Sequence, residues 1–105
     1  MTTIYGIKTC DTCRKAVKAL GAELHDIRAD PLTPAQLAQF YEAFGDALLN
    51  TRSTTWRGLS EHERACAPLD LLAAHPTVMK RPVIDANGTL YLGWGKDVQA
   101  ALSGA

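Results

Sequence analysis

A chain of 105 residues has the length of one domain, and 47% hydrophobic residues are enough to build its core without staples. Eleven basic and eleven acidic side chains cancel. A neutral balance excludes a general nucleic-acid or anionic-membrane binder. No apolar run approaches the roughly 20 residues that span a bilayer, and the start MTTIYGIKTC lacks the basic segment and long apolar stretch of an export signal. The expectation is therefore a soluble, cytoplasmic protein.

In chain order, Thr2 to Tyr5 is rich in strand formers and is stopped by Gly6. After the loop Ile7 to Cys10, a helix is expected from Asp11 to Leu20, with Val17 and Leu20 inward, Lys15 and Lys18 outward, and Gly21 as its stop. Glu23 to Ile27 suits a second strand. Thr33 has the features of an N-cap, with Pro34 at the first helical position and Gln36 three residues after the cap. Leu37, Phe40, Tyr41 and Phe44 then give the stripe of an amphipathic helix packed on a core.

The middle is less regular. Ala47 to Leu49 suggests a helical turn, and Asn50 to Gly58 reads as polar and irregular. Ser60 with Glu63 repeats the capping-box pattern ahead of a short helix to Ala67, and Pro68 opens another that Pro76 closes. Val83 to Asp85 and Thr89 to Leu92 flank Asn87-Gly88, the strongest hairpin signal in the chain. Lys96 to Leu102 is a final helix. Alternation at the front and a hairpin at the back describe an α/β fold: a mixed sheet flanked by helices.

Three cysteines, two of them close together, point to redox or metal chemistry more than to a disulfide framework. Cys10-Asp11-Thr12-Cys13 is a C-x-x-C motif between a predicted strand and a predicted helix. A cysteine at a helix N-terminus faces unpaired N–H groups and the positive end of the dipole, and both favour the reactive thiolate. Cys13 lies about one helical turn further on, where it can be covered and still approach Cys10. Arg14 and Lys15 add positive charge, and Asp11 opposes it. The same pair could be half of a zinc site completed by His62 and Cys66, or two inert packed thiols. Its position after a strand and before a helix favours redox chemistry, with no metal, and leaves Cys66 as a small packed residue.

Arg81-Pro82 precedes a predicted strand. Spacing alone allows either a cis-proline facing the cysteine or an ordinary trans-proline starting an edge strand.

Taken together, Ile4-Tyr5-Gly6, Cys10-x-x-Cys13-Arg14-Lys15-Ala16, Leu48-Leu49-Asn50-Thr51-Arg52-Ser53, His75-Pro76 and Arg81-Pro82-Val83 resemble the ArsC/Spx family, which includes arsenate reductases. Tyr5 to Lys8 and Thr54 to Arg57 are most similar to its YffB-type branch. The resemblance covers nearly the whole chain. It implies a single thioredoxin-like domain with a helical insertion from about residue 33 to 76, a catalytic cysteine at Cys10, and a cis bond at Pro82. It also implies that Arg81 binds an anionic substrate, with Arg52 as a second arginine displaced by two residues from the family position, which Asn50 holds. Where those arsenate reductases carry a third arginine, this chain has Leu92-Gly93-Trp94-Gly95.

The function expected on these grounds is a monomeric thiol oxidoreductase. Cys10 attacks an oxidised sulfur or an oxyanion, and Cys13 or glutathione resolves the intermediate. No cofactor is bound, glutathione serves as the reducing co-substrate, and glutaredoxin is a candidate reducing partner. The alternative is an Spx-like regulator that binds RNA polymerase and uses Cys10 and Cys13 as a disulfide switch.

Overall fold

The computed structural model describes residues 2–103. Its four strands are β1 (Thr2–Gly6), β2 (Glu23–Asp26), β3 (Val83–Ala86) and β4 (Thr89–Leu92), in the sheet order β2-β1-β3-β4. β1 runs parallel to β2, as the helical crossover α1 (Asp11–Leu20) between them requires, and antiparallel to β3. β3 and β4 form the hairpin, closed by Asn87 (φ 54°) and Gly88 (φ 94°), both left-handed as a two-residue turn needs.

Contacts divide the chain into two compact units, residues 1–30 with 81–105, and residues 31–80. In the first, the register pairs Ile4 with Ile84, and both are fully buried. Ala16 of α1 and Val98 of α6 (Lys96–Ser103) complete this core, with Val17, Leu20, Leu24, Tyr91 and Trp94 packed around it. Cys13, Ala16, Val17 and Leu20 thus form one inward stripe, while Lys15 and Lys18 are exposed. The αL conformation of Gly21 (φ 60°) ends the helix, its N–H bonding to the Val17 carbonyl. β2 stops one residue short of the expected end. The Asp26 carboxylate draws the N–H groups of Arg28 and Ala29 into a turn, although Ile27 remains buried.

The second unit carries α2 (Pro34–Phe44), α3 (Thr54–Arg57), α4 (Glu61–Arg64) and α5 (Pro68–Ala74), with single 3₁₀ turns at Gly45–Leu48 and Pro76–Val78. Both expected capping boxes form: Thr33 with Gln36, and Ser60 with Glu63. In the stripe of α2, Leu37 and Phe40 are buried. Tyr41 and Phe44 are only half so, and the Tyr41 hydroxyl donates to Asp46 at 2.6 Å.

Three expectations need correction in this unit. Asn50 to Gly58 is not wholly irregular, because Ser53 caps α3 by accepting from the Trp56 N–H, and Trp56 packs on Leu59, Leu71 and Val78. α4 ends at Arg64 instead of Ala67: Pro68 forces the residue before it out of the helical region, and Ala67 is extended (ψ 141°). Cys66 is exposed and not packed, since it lies in the link after that shortened helix.

Candidate functional site

β1 ends at Gly6, and its antiparallel neighbour β3 begins at Val83, the register partner of Tyr5. The segment after β1 and the segment before β3 therefore leave the sheet at the same end. One carries Cys10 and Cys13, the other Arg81-Pro82. β4 ends there too, where the Gly93 N–H donates to the Pro82 carbonyl at 2.8 Å. Sheet topology alone thus gathers residues that lie some seventy positions apart in sequence.

Cys10 is the N-cap of α1, in extended conformation (φ −84°, ψ 120°), and its carbonyl accepts the Arg14 N–H at 3.0 Å. Its sulfur makes no full cap hydrogen bond, but the N–H groups at the start of the helix face it. Partial burial, the largest single influence, disfavours the thiolate. The N–H of Cys13, the thiol of Cys13, the N–H of Thr12 and the charge of Arg81 together outweigh it, and the Cys10 thiol falls below its ordinary value.

Cys13 behaves in the opposite way. It is 0% exposed, and burial above all pushes its thiol up to about 11, with the hydrogen bond and charge of Cys10 acting in the same direction. The Ile7 backbone and Arg81 oppose the rise without reversing it. Cys13 fits because position 6 lacks a side chain: a Cβ on Gly6 would overlap the Cys13 sulfur. Both cysteines are free thiols. Cys10 is partly accessible and its thiolate is favoured, whereas Cys13 is covered and its thiolate is disfavoured, an arrangement suited to attack by the first and later exchange with the second.

Arg81 is half-buried, Pro82 is fully buried, and the bond between them is cis. The loop leading to Cys10 is also braced. Asp26 accepts the Lys8 N–H at 3.1 Å, and the Arg14 Nε–H donates to the Lys8 carbonyl at 2.9 Å. Sequence reasoning missed Asp26, and treated Arg14 only as a nearby charge. The local signal, an Asp two residues before a turn N–H, marks the side-chain-closed turn to Arg28 but not the bond to Lys8.

Arg52 belongs to the other unit. It is exposed, and its N–H donates to Asn50 Oδ1 at 3.0 Å. In that unit Cys66 lines a cavity of about 260 Å³ with Glu63, Asp70 and His75, and its thiol reaches the His62 carbonyl at 3.6 Å. Among the described residues no group of three or more His, Cys, Asp or Glu is placed to hold a metal ion. Nor is any helix among them long and apolar enough to cross a membrane.

The profile of the ArsC family matches residues 5–102. An uncharacterized protein of Haemophilus influenzae is 43% identical, over 98% of this chain and 100% of its own length. A global transcriptional regulator Spx of Streptococcus pyogenes is 29% identical, over 98% of this chain and 86% of its own. Among solved structures, a YffB protein superposes with a TM-score of 0.87 at 31% identity, covering 97% of this chain and 98% of that one. An arsenate reductase (ArsC) related protein of Brucella melitensis gives 0.73 at 32% identity, covering 99% and 95%. These matches carry with them the thioredoxin-like α/β fold expected from the sequence. With the cysteine loop and the Arg81-Pro82 segment at one end of its sheet, the chain belongs to the ArsC family, in the YffB-type branch of the ArsC/Spx lineage.

Proposed function

We propose that this chain is a thiol oxidoreductase with Cys10 as nucleophile and Cys13 as resolving thiol. The observation that carries the reading is the asymmetry of the pair: an accessible thiol lowered at a helix N-terminus beside Arg81, over a covered thiol raised to about 11. In the first step the Cys10 thiolate attacks a substrate disulfide, forming a mixed disulfide and expelling one substrate thiolate. Cys13 then gives up its proton and attacks the Cys10 sulfur, which releases the second thiolate and leaves a Cys10–Cys13 disulfide. Two electrons from glutathione, or from a dithiol reductant such as glutaredoxin, return the pair to its starting state.

Arg81 suits an anionic substrate group, since guanidinium pairs well with carboxylates and oxyanions, and Arg52 is the further arginine assigned to substrate. Leu92-Gly93-Trp94-Gly95 offers no third guanidinium, which favours an oxidised-sulfur substrate over arsenate. The reading places the protein in the cytoplasm as a monomer, with no bound cofactor.

An alkylating thiol probe, titrated across pH with mass spectrometry to locate the adduct, tests this. The expected result is reaction at Cys10 with an apparent pKa below the free-thiol value of about 8.5, unaltered in site by Cys13→Ala. An apparent pKa at or above that value overturns it. The second reading is a redox-sensing regulator that binds RNA polymerase, and the C-x-x-C pair together with the Spx relatives favours it. Retained polymerase binding by Cys10→Ser, with no disulfide turnover by the wild type, would select that reading instead.

A further inference from the structure

The backbone of Lys8, two residues before the reactive cysteine, is held from both sides. Its N–H donates to Asp26 Oδ2 at 3.1 Å. Its carbonyl accepts the Arg14 Nε–H at 2.9 Å. The other Asp26 oxygen takes the N–H groups of Arg28 at 2.9 Å and Ala29 at 3.3 Å, which anchors that carboxylate to the backbone just after β2. Arg14, for its part, is rooted in α1, where its own N–H bonds to the Cys10 carbonyl. One residue therefore ties together the end of β2, the cysteine loop and the first turn of the helix.

Ile7 is buried, but Lys8 and Thr9 after it are exposed, so apolar burial fixes the start of this loop and not Lys8 itself. The Cys10 N–H bond to the Ile7 carbonyl at 3.1 Å closes the turn within the loop, and the Asp26 and Arg14 bonds fasten Lys8 to the elements on either side. We infer that Asp26 and Arg14 are positioning residues, which clamp the backbone of Lys8 on both sides of its Cα and so hold the Cys10 sulfur where the Thr12 and Cys13 N–H groups face it. The effect on reactivity rests on the reading of Cys10 as the attacking thiol; the clamp itself stands on the hydrogen bonds.

The two possible roles of Asp26 predict opposite signs. If it acted only through its negative charge, removing it would favour the Cys10 thiolate, because a like charge disfavours ionisation. If it acts as a clamp, removing it frees the loop, weakens the N–H contacts to the sulfur, and disfavours the thiolate despite the lost charge. Ordinary structural support, with no bearing on the sulfur, frees the Lys8 amide without raising the pH at which the thiolate forms.

The experiment is a pH titration of the ultraviolet thiolate absorbance in the full chain, for wild type, Asp26→Ala and Asp26→Asn. Backbone hydrogen exchange at Lys8 is measured alongside. In Asp26→Ala the thiolate is expected to form at higher pH, so that alkylation at neutral pH slows by about threefold, and the Lys8 amide is expected to exchange about tenfold faster. Asp26→Asn retains the shape but one oxygen only, so it should fall between the two, and it carries the test if the alanine variant does not fold. Thiolate formation at unchanged or lower pH, or a Lys8 amide as protected as in wild type, overturns the clamp. A wild-type Cys10 that titrates as an ordinary thiol overturns the proposed function instead, while the Lys8 exchange rate still decides the clamp.

Discussion

The sulfur of Cys13 occupies the space that a side chain on Gly6 would fill. A strand residue and a helix residue are thereby matched in size, and the Cys13 thiol is seated by a missing methyl group. Gly6→Ala forces the Cβ into Cys13, whose own Cβ is 3.2 Å from that position. Overpacking of this kind costs about 1–3 kcal/mol. Urea unfolding should show that loss, and Gly6→Ala combined with Cys13→Ala should recover part of it because the sulfur is gone. A single variant as stable as wild type would mean that the strand yields without strain.

Arg81 favours the charged form of both cysteines. Replacing it with Gln removes a cation beside Cys10, which should raise the pH at which the thiolate forms and slow alkylation at neutral pH by about threefold. Arg81→Lys keeps the charge and should retain most of the rate. If Lys and Gln slow the reaction equally, the guanidinium acts through its shape and not through its charge.

Alkaline unfolding should carry the signature of Cys13. Its folded value is about 11 against an ordinary 9.0, so above pH 9 the unfolded chain loses this proton while the folded chain keeps it. The unfolded state then binds fewer protons, and stability falls as pH rises from 9 toward 11, by up to about 2 kcal/mol. Cys10 has the opposite sign. With its folded value lowered, its contribution is lost as pH falls through that value and is fully present above the unfolded value, so it does not produce the alkaline decline. Urea midpoints across this range should drop more steeply in wild type than in Cys13→Ala; parallel curves would show that Cys13 titrates alike in both states.

Thr33 accepts the Gln36 N–H at 3.1 Å and its own N–H donates to Gln36 Oε1 at 2.9 Å. Thr33→Ala should lower stability by about 1 kcal/mol, read as a reduced midpoint in thermal or urea unfolding, while Thr33→Ser should be close to neutral.

Short-range signals made much of this architecture legible before the structure. Thr33 with Gln36, Ser60 with Glu63, and Asn87-Gly88 each encode a local geometry in adjacent residues, and each forms as expected. The C-x-x-C motif was legible for the same reason, since a strand, a loop and a helix follow one another without interruption. α3 was not, because four residues after Ser53 are too few to show a period. Asp26 was hidden for a different reason: its carboxylate serves a backbone N–H eighteen positions away, and no local pattern records such a partner. The exposure of Cys66 follows from the early end of α4, which only the backbone reveals.

The two strands beside β1 come from very different distances along the chain. β2 follows within twenty residues, whereas β3 starts at Val83. On a ribosome, both thiols of the motif are made long before Ile84 can cover Ile4 and before Arg81 exists to favour the Cys10 charge. Contacts between distant segments form late because the chain must first close a long loop. The nascent chain thus carries its cysteine pair without the cation and the strand beside it until Arg81 and Val83 have been added.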